Sequence, residues 1–183
     1  IKLKRANGAL CKLRHFSSEK TLLSLYMSLF HSHLSYGSRV WGQRESIYTR
    51  RILTLQKQAL RIISFSDFQA PSSPLFLRFK ILSFFDLVKS LNISFIYKLL
   101  NNQLPPILNT SFDLKRSNQH NRGHLSCAKP GLIKLPKVST VSFDNNSICY
   151  QSILSWNLIQ NYISINDISS LTFGGLNYLV KSC

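Results

Sequence analysis

Leu22, Leu25, Tyr26, Leu29, Phe30 and His33 fall at i, i+3, i+4, i+7, i+8 and i+11, a stripe that predicts an amphipathic helix closed by Tyr36-Gly37. Ahead of it, Leu3, Ala6, Leu10 and Leu13 recur at helical spacing opposite Lys2, Arg5, Lys12 and Arg14, so a first helix is predicted over 2–16, weakened by Gly8. Ser17 and Ser18 stop that helix and cap the next. A turn through Gly37, Trp41 and Gly42 leads to a third helix from about Glu45 to Ile63, with Ile52, Leu55, Ala59 and Ile62 on one face and Arg50, Lys57 and Arg61 on another. Pro71 and Pro74 break the chain before a short helix. A long apolar helix follows from Phe84 to about Leu100, its stripe formed by Phe84, Leu87, Val88, Leu91 and Phe95.

Beyond Leu100 the pattern loosens. Residues 103–123, opened by Pro105-Pro106, are polar and irregular and are expected to form a mobile loop. Residues 126–143, with Pro130 and Pro136, allow two short strands, and Asn145-Asn146 then starts a helix carrying Ile153, Trp156 and Ile163. The tail from Asp167 makes a weak helix, because Gly174-Gly175 sits in its middle. The expected fold class is mainly α: a three-helix region over 1–66, further helices over 67–102, a loop with short extended segments over 103–145, and a C-terminal helical region over 146–183.

With 183 residues, 44% of them hydrophobic, the chain has enough apolar surface for a core and is too apolar for a disordered basic tail. What charge adds is a partner. There are 23 Lys and Arg against 7 Asp and Glu, a net +16 whose self-repulsion points to a polyanion, nucleic acid above all. Residues 1–91 hold 15 of the basic residues and four of the acidic ones, an excess of +11 against +5 for the rest, so the polyanion is expected on the first half. A membrane surface would call for a polybasic run beside an anchor or span, and neither is evident; no membrane association is expected. Cys11, Cys127, Cys149 and Cys183 are far apart and lack paired spacing, which fits a reducing, intracellular compartment, nuclear or cytoplasmic. Ile1 is followed by Lys2, Lys4 and Arg5 without an apolar run, so no signal peptide is expected; the chain opens inside a helix, as a fragment or partial reading frame would.

The candidate chemistry is binding. Polymerase-type catalysis needs carboxylates gathered around two metal ions, and the closest two here, Asp67 and Asp86, are 19 positions apart. His31 and His33, two apart on a helix, point to different faces and cannot chelate one ion. His120, His124 and Cys127, with Cys149 as a fourth group, have spacing a zinc site could use but lack the second cysteine pair that would make it specific, and no metal is assigned. There is neither a GxSxG elbow nor a phosphate-cradling glycine loop. Lys12, Arg14, Arg39, Arg44, Arg50, Arg51, Lys57 and Arg61, interleaved with Tyr36, Trp41 and Tyr48, offer the mixture of cations and aromatics that holds nucleic acid. We read the cations as phosphate-binding and the aromatic turn as packing, since Gly37 and Gly42 suggest close backbone approach around it.

The segments KLKRANGALCKLRHF, TLLSLYMSLFHSHLSYGSRVWG and LQKQALRIISF resemble, in this order, the region after the catalytic core in reverse transcriptases of non-LTR (LINE-type) retrotransposons. FKILSFFDLVKSLNISFIYKLLNNQLP is similar to the helical segment that follows there, and NRGHLSCAKP and SILSWN, with Trp156-Asn157, to the connector and terminal motif. The resemblance implies a helical thumb that closes on template RNA and growing DNA, packed against the upstream palm and fingers of the same polypeptide. It makes Tyr36, Gly37, Trp41 and Gly42 the thumb's aromatic turn, and Gln56, Lys57, Leu60 and Arg61 the next helix. By the same resemblance the catalytic aspartates and their Mg2+ lie upstream of Ile1, so this stretch alone is expected to be inactive and to need no cofactor. After Trp156-Asn157 the family commonly has a Leu-Pro step and later a basic Phe-Lys helix, where this chain has Leu158-Ile159-Gln160 and Phe173-Gly174-Gly175, as would a decayed copy or a lineage in which the tail serves only packing. The alternative expectation is a non-catalytic helical interaction module, its cations only a solvated surface.

Overall fold

The computed structural model describes residues 2–111, 133, 135–136 and 147–160. Among these the chain is mainly helical and contains no strand: α1 Lys2–Leu13, α2 Glu19–Leu25, a π-helical turn Tyr26–His31, α3 Ser32–Ser35, α4 Ser38–Trp41, α5 Ile47–Ile63, α6 Ser73–Arg78, α7 Phe84–Leu100, α8 Pro106–Ser111 and α9 Ile148–Gln160. Two compact units divide the chain, residues 1–88 and 89–183.

In the first unit α1 packs along α5 and against the helix that runs from α2 through the π turn to α3. The Asn7 side chain donates to the Leu55 carbonyl at 2.9 Å, and the Arg14 guanidinium lies 5.3 Å from the Phe65 ring centre. Contacts at these two levels set α1 and α5 parallel. Helix α1 ends at Leu13, short of the expected residue 16, and Leu13 is exposed. Ser18 caps α2 as expected, accepting from the Thr21 amide.

The stripe along the second helix differs from the expected one. Leu22, Tyr26, Phe30 and Leu34 are fully buried, whereas Leu29 and His33 are exposed. Four residues of α-helix overshoot a full turn by about 40°, so an i, i+4, i+8, i+12 row would wind off the core. The wider i→i+5 turn at Tyr26–His31 falls short of a full turn over four residues and brings the row back.

Helix α5 starts at Ser46, whose hydroxyl and Thr49 form a reciprocal capping box. Its buried face is also rotated from the expected one. Thr49, Gln56, Ala59, Leu60 and Ile63 are buried, while Ile52, Leu55 and Ile62 are half-buried at the edge. At its centre the Gln56 amide donates to the Tyr26 hydroxyl at 3.1 Å and to the Leu82 carbonyl at 2.8 Å. Burial pushes the Tyr26 phenol up to about 12, partly offset by that bond from Gln56.

His31, in the π turn, is half-buried; its Nδ1 has no hydrogen-bond partner, and burial lowers its pKa below the usual 6.5. The native state therefore binds fewer protons than the unfolded chain just below pH 6.5, and the contribution of neutral His31 is lost as pH falls through the lowered value. Urea denaturation between about pH 7 and pH 5 should show stability declining, and His31→Leu should flatten that decline. An unchanged slope in the variant would refute the assignment.

Pro74 opens α6, and the bidentate ion pair of Arg78 Nη2 with Glu19, 2.9 and 2.7 Å, ties it to the start of α2. Ser83 and Asp86 bond each other at the head of α7, which spans the expected residues.

The core of the second unit joins Ile93, Phe95 and Ile96 of α7 to Ile133 and to Ile153, Trp156 and Ile159 of α9. Leu104 and Leu108 pack against it, and Pro106–Ser111 is helical, so the segment expected as a loop from residue 103 begins with an ordered helix. Asn157 donates to the Ile133 carbonyl at 2.8 Å and accepts from its amide at 3.0 Å, imitating a strand partner. Trp156 of the Trp-Asn pair is buried in the core, its indole Nε1 without a hydrogen-bond partner among the described residues. The expected strands fall largely outside the described residues, as do Ile163 and the glycine-containing tail.

Candidate nucleic-acid interface

The parallel helices α1 and α5 carry Lys2, Lys4, Arg5, Lys12, Arg50, Arg51, Lys57 and Arg61 and no carboxylate. Lys2, Lys4 and Arg5 lie together on α1, and Arg50 and Arg51 adjoin each other on α5. Lys12 and Arg61 lie in the last turns of α1 and α5, where the helix dipole favours positive charge.

The eight sequence-predicted cations divide by engagement. Arg50 is exposed and bonded through Nε to Glu45 at 2.9 Å. Arg61 is half-buried and donates to the Ala70 carbonyl at 2.8 Å, fastening the 64–72 connection. Arg14 lies over Phe65, and Arg39 is half-buried on α4 and engaged within the structure. Lys12, Arg44 and Arg51 are exposed and Lys57 half-buried, and none of these four side chains is in an ion pair among the described residues. They are the cations best placed for a phosphate. Lys2, Lys4 and Arg5, all exposed beside α5, are additions that lie outside the predicted set; their signal in the sequence was the absence of any acid before Glu19.

The aromatic turn is only partly internal. Gly37 adopts φ 63°, the left-handed conformation that ends α3, and the Trp41 ring lies parallel to Phe84 with centres 5.4 Å apart. Gly42 is buried, and a methyl group built there would meet the Ser38 carbonyl at 2.5 Å and Phe84 and Val88 at 3.0 Å. Tyr36 and Tyr48, in contrast, are 83% and 75% exposed.

Comparison with protein-family models, curated proteins and solved structures finds no match to this chain.

Among the described residues the four carboxylates are engaged separately. Glu19 and Glu45 are ion-paired to Arg78 and Arg50, Asp86 accepts from Ser83, and Asp67 accepts from the Phe68 amide. Among the described residues no three His, Cys, Asp or Glu groups gather as metal ligands; His120, His124 and Cys127 lie outside those residues, and burial raises the Cys149 thiol. No described helix is long and apolar enough to cross a membrane.

Proposed function

We propose that this chain is the post-catalytic part of a retrotransposon-encoded RNA-directed DNA polymerase, and that it holds template RNA and the primer or cDNA strand through the basic α1–α5 pair. In this reading the Mg2+ chemistry belongs to the parent polymerase's palm, and the protein works inside the cell, in nucleus or cytoplasm. The carrying observation is two packed helices with eight cations and no acid. The motif SYGSRVWG followed by LQKQALRII adds the kind of polyanion.

If Lys12, Arg44, Arg51 and Lys57 each neutralise one phosphate, affinity for an RNA–DNA hybrid should fall about a hundredfold between roughly 50 and 200 mM salt. Arg51→Gln with Lys57→Gln should flatten that salt slope and weaken binding at least about tenfold at low salt, without lowering the melting temperature. Absence of hybrid binding at low salt, or binding insensitive to salt, would overturn the reading.

A further inference from the structure

Around Trp41 there is aromatic surface that phosphate binding does not use. One face of the indole rests on the fully buried Phe84 ring, 5.4 Å away and 13° from parallel. Its Nε1 donates to the Tyr36 carbonyl at 3.3 Å, which fixes the rotation of the ring. The residue is nevertheless 43% exposed, with Tyr36 and Val40 beside it at 83% and 68%. Single exposed apolar residues need no explanation, but three within the six positions 36–41, around a ring already held in place, form a patch. Residues 20–44 contain no carboxylate, and Arg39 and Arg44 stand on either side of Trp41 in the chain.

We propose that Trp41 and Tyr36 form a stacking platform for unpaired nucleobases, such as those displayed where a single strand leaves an RNA–DNA duplex. The proposal rests on the nucleic-acid reading above and adds the ligand class: bases accepted face-on, beside phosphates held by charge. Every base presents a flat π-face, so the platform is indifferent to sequence. An indole whose rotation is already set by Phe84 and Tyr36 loses little freedom on stacking. A segment that carries Arg39 and Arg44 and no carboxylate favours the phosphates that flank such a base.

In a Trp156→Phe background Trp41 is the remaining tryptophan of the two. Oligo(dT) added at low salt should quench its fluorescence, and a blunt RNA–DNA hybrid should leave it nearly unchanged. In the otherwise unaltered chain, followed by anisotropy of labelled ligand, Tyr36→Ala should weaken oligo(dT) binding about tenfold and hybrid binding by no more than about twofold. Tyr36 is too exposed for its removal to disturb packing. Trp41→Leu should act in the same direction. Salt-sensitive oligo(dT) binding with no quench and no effect of Tyr36→Ala would overturn the platform and leave the basic face standing. Failure of both ligands to bind at low salt would overturn both proposals. A blue shift that grows with protein concentration in the absence of nucleic acid would give the patch to self-association and overturn the platform.

Discussion

Gly42→Ala should destabilise the chain by about 3 kcal/mol, read as a lower urea midpoint and melting temperature. The reason is space, since φ −88° and ψ −4° at Gly42 suit any residue. The added methyl would lie 2.5 Å from the Ser38 carbonyl, the same oxygen that accepts the Gly42 amide at 2.7 Å, and 3.0 Å from both Phe84 and Val88. A side-chain tip could give way; a backbone carbonyl held by its own hydrogen bond gives way only by moving α4. The Trp41 ring would then lift from Phe84, so its emission should shift to the red alongside the loss of stability. A stability within about 0.5 kcal/mol of the parent chain would show that the turn yields to the methyl group.

Gln56→Ala should cost about as much, roughly 3–4 kcal/mol, for a different reason. Its Nε2 satisfies the Leu82 carbonyl and the Tyr26 hydroxyl in a site without solvent, and truncation leaves those groups unpaired next to a cavity. Gln56→Leu fills the cavity and removes the amide's own unpartnered Oε1, so its cost should fall to about 2 kcal/mol. Adding Tyr26→Phe to Gln56→Leu deletes one of the stranded groups, and the pair should cost about 1 kcal/mol less than the sum of the single changes. Strict additivity in that cycle would mean that the bond contributes nothing.

Gln56 also shows where a hydropathy pattern fails. The helix over 47–63 was legible, as was that over 84–100, because apolar residues recur at helical spacing. The buried face of α5 was misplaced because its central residue is polar, and a scale that scores side chains singly cannot know that Tyr26 and the Leu82 carbonyl await it. The stripe of the second helix was misread at Leu29 and His33 because helical periodicity assumes one turn width throughout, and the π turn departs from it. Helix α8 was hidden by its prolines and brevity, its order tied to Leu104 and Leu108 on a core that is distant in sequence. For the basic face, composition supplied the cations, and Arg50–Glu45, five apart, could be foreseen. The engagement of Arg61 with Ala70 and of Glu19 with Arg78, 59 positions away, depends on folding.

The π turn carries a consequence for chain length. A helix with one wide turn holds one residue more than its apolar face requires, so a one-residue deletion between Tyr26 and Phe30 would leave buried positions spaced four, three and four apart. Those eleven steps come to within about 20° of three full turns of regular α-helix. The shortened helix would present the same face to α1 and α5 that the longer one does. At this point the fold is buffered against a change in length, a kind of change that inside most helices throws every later side chain off the core.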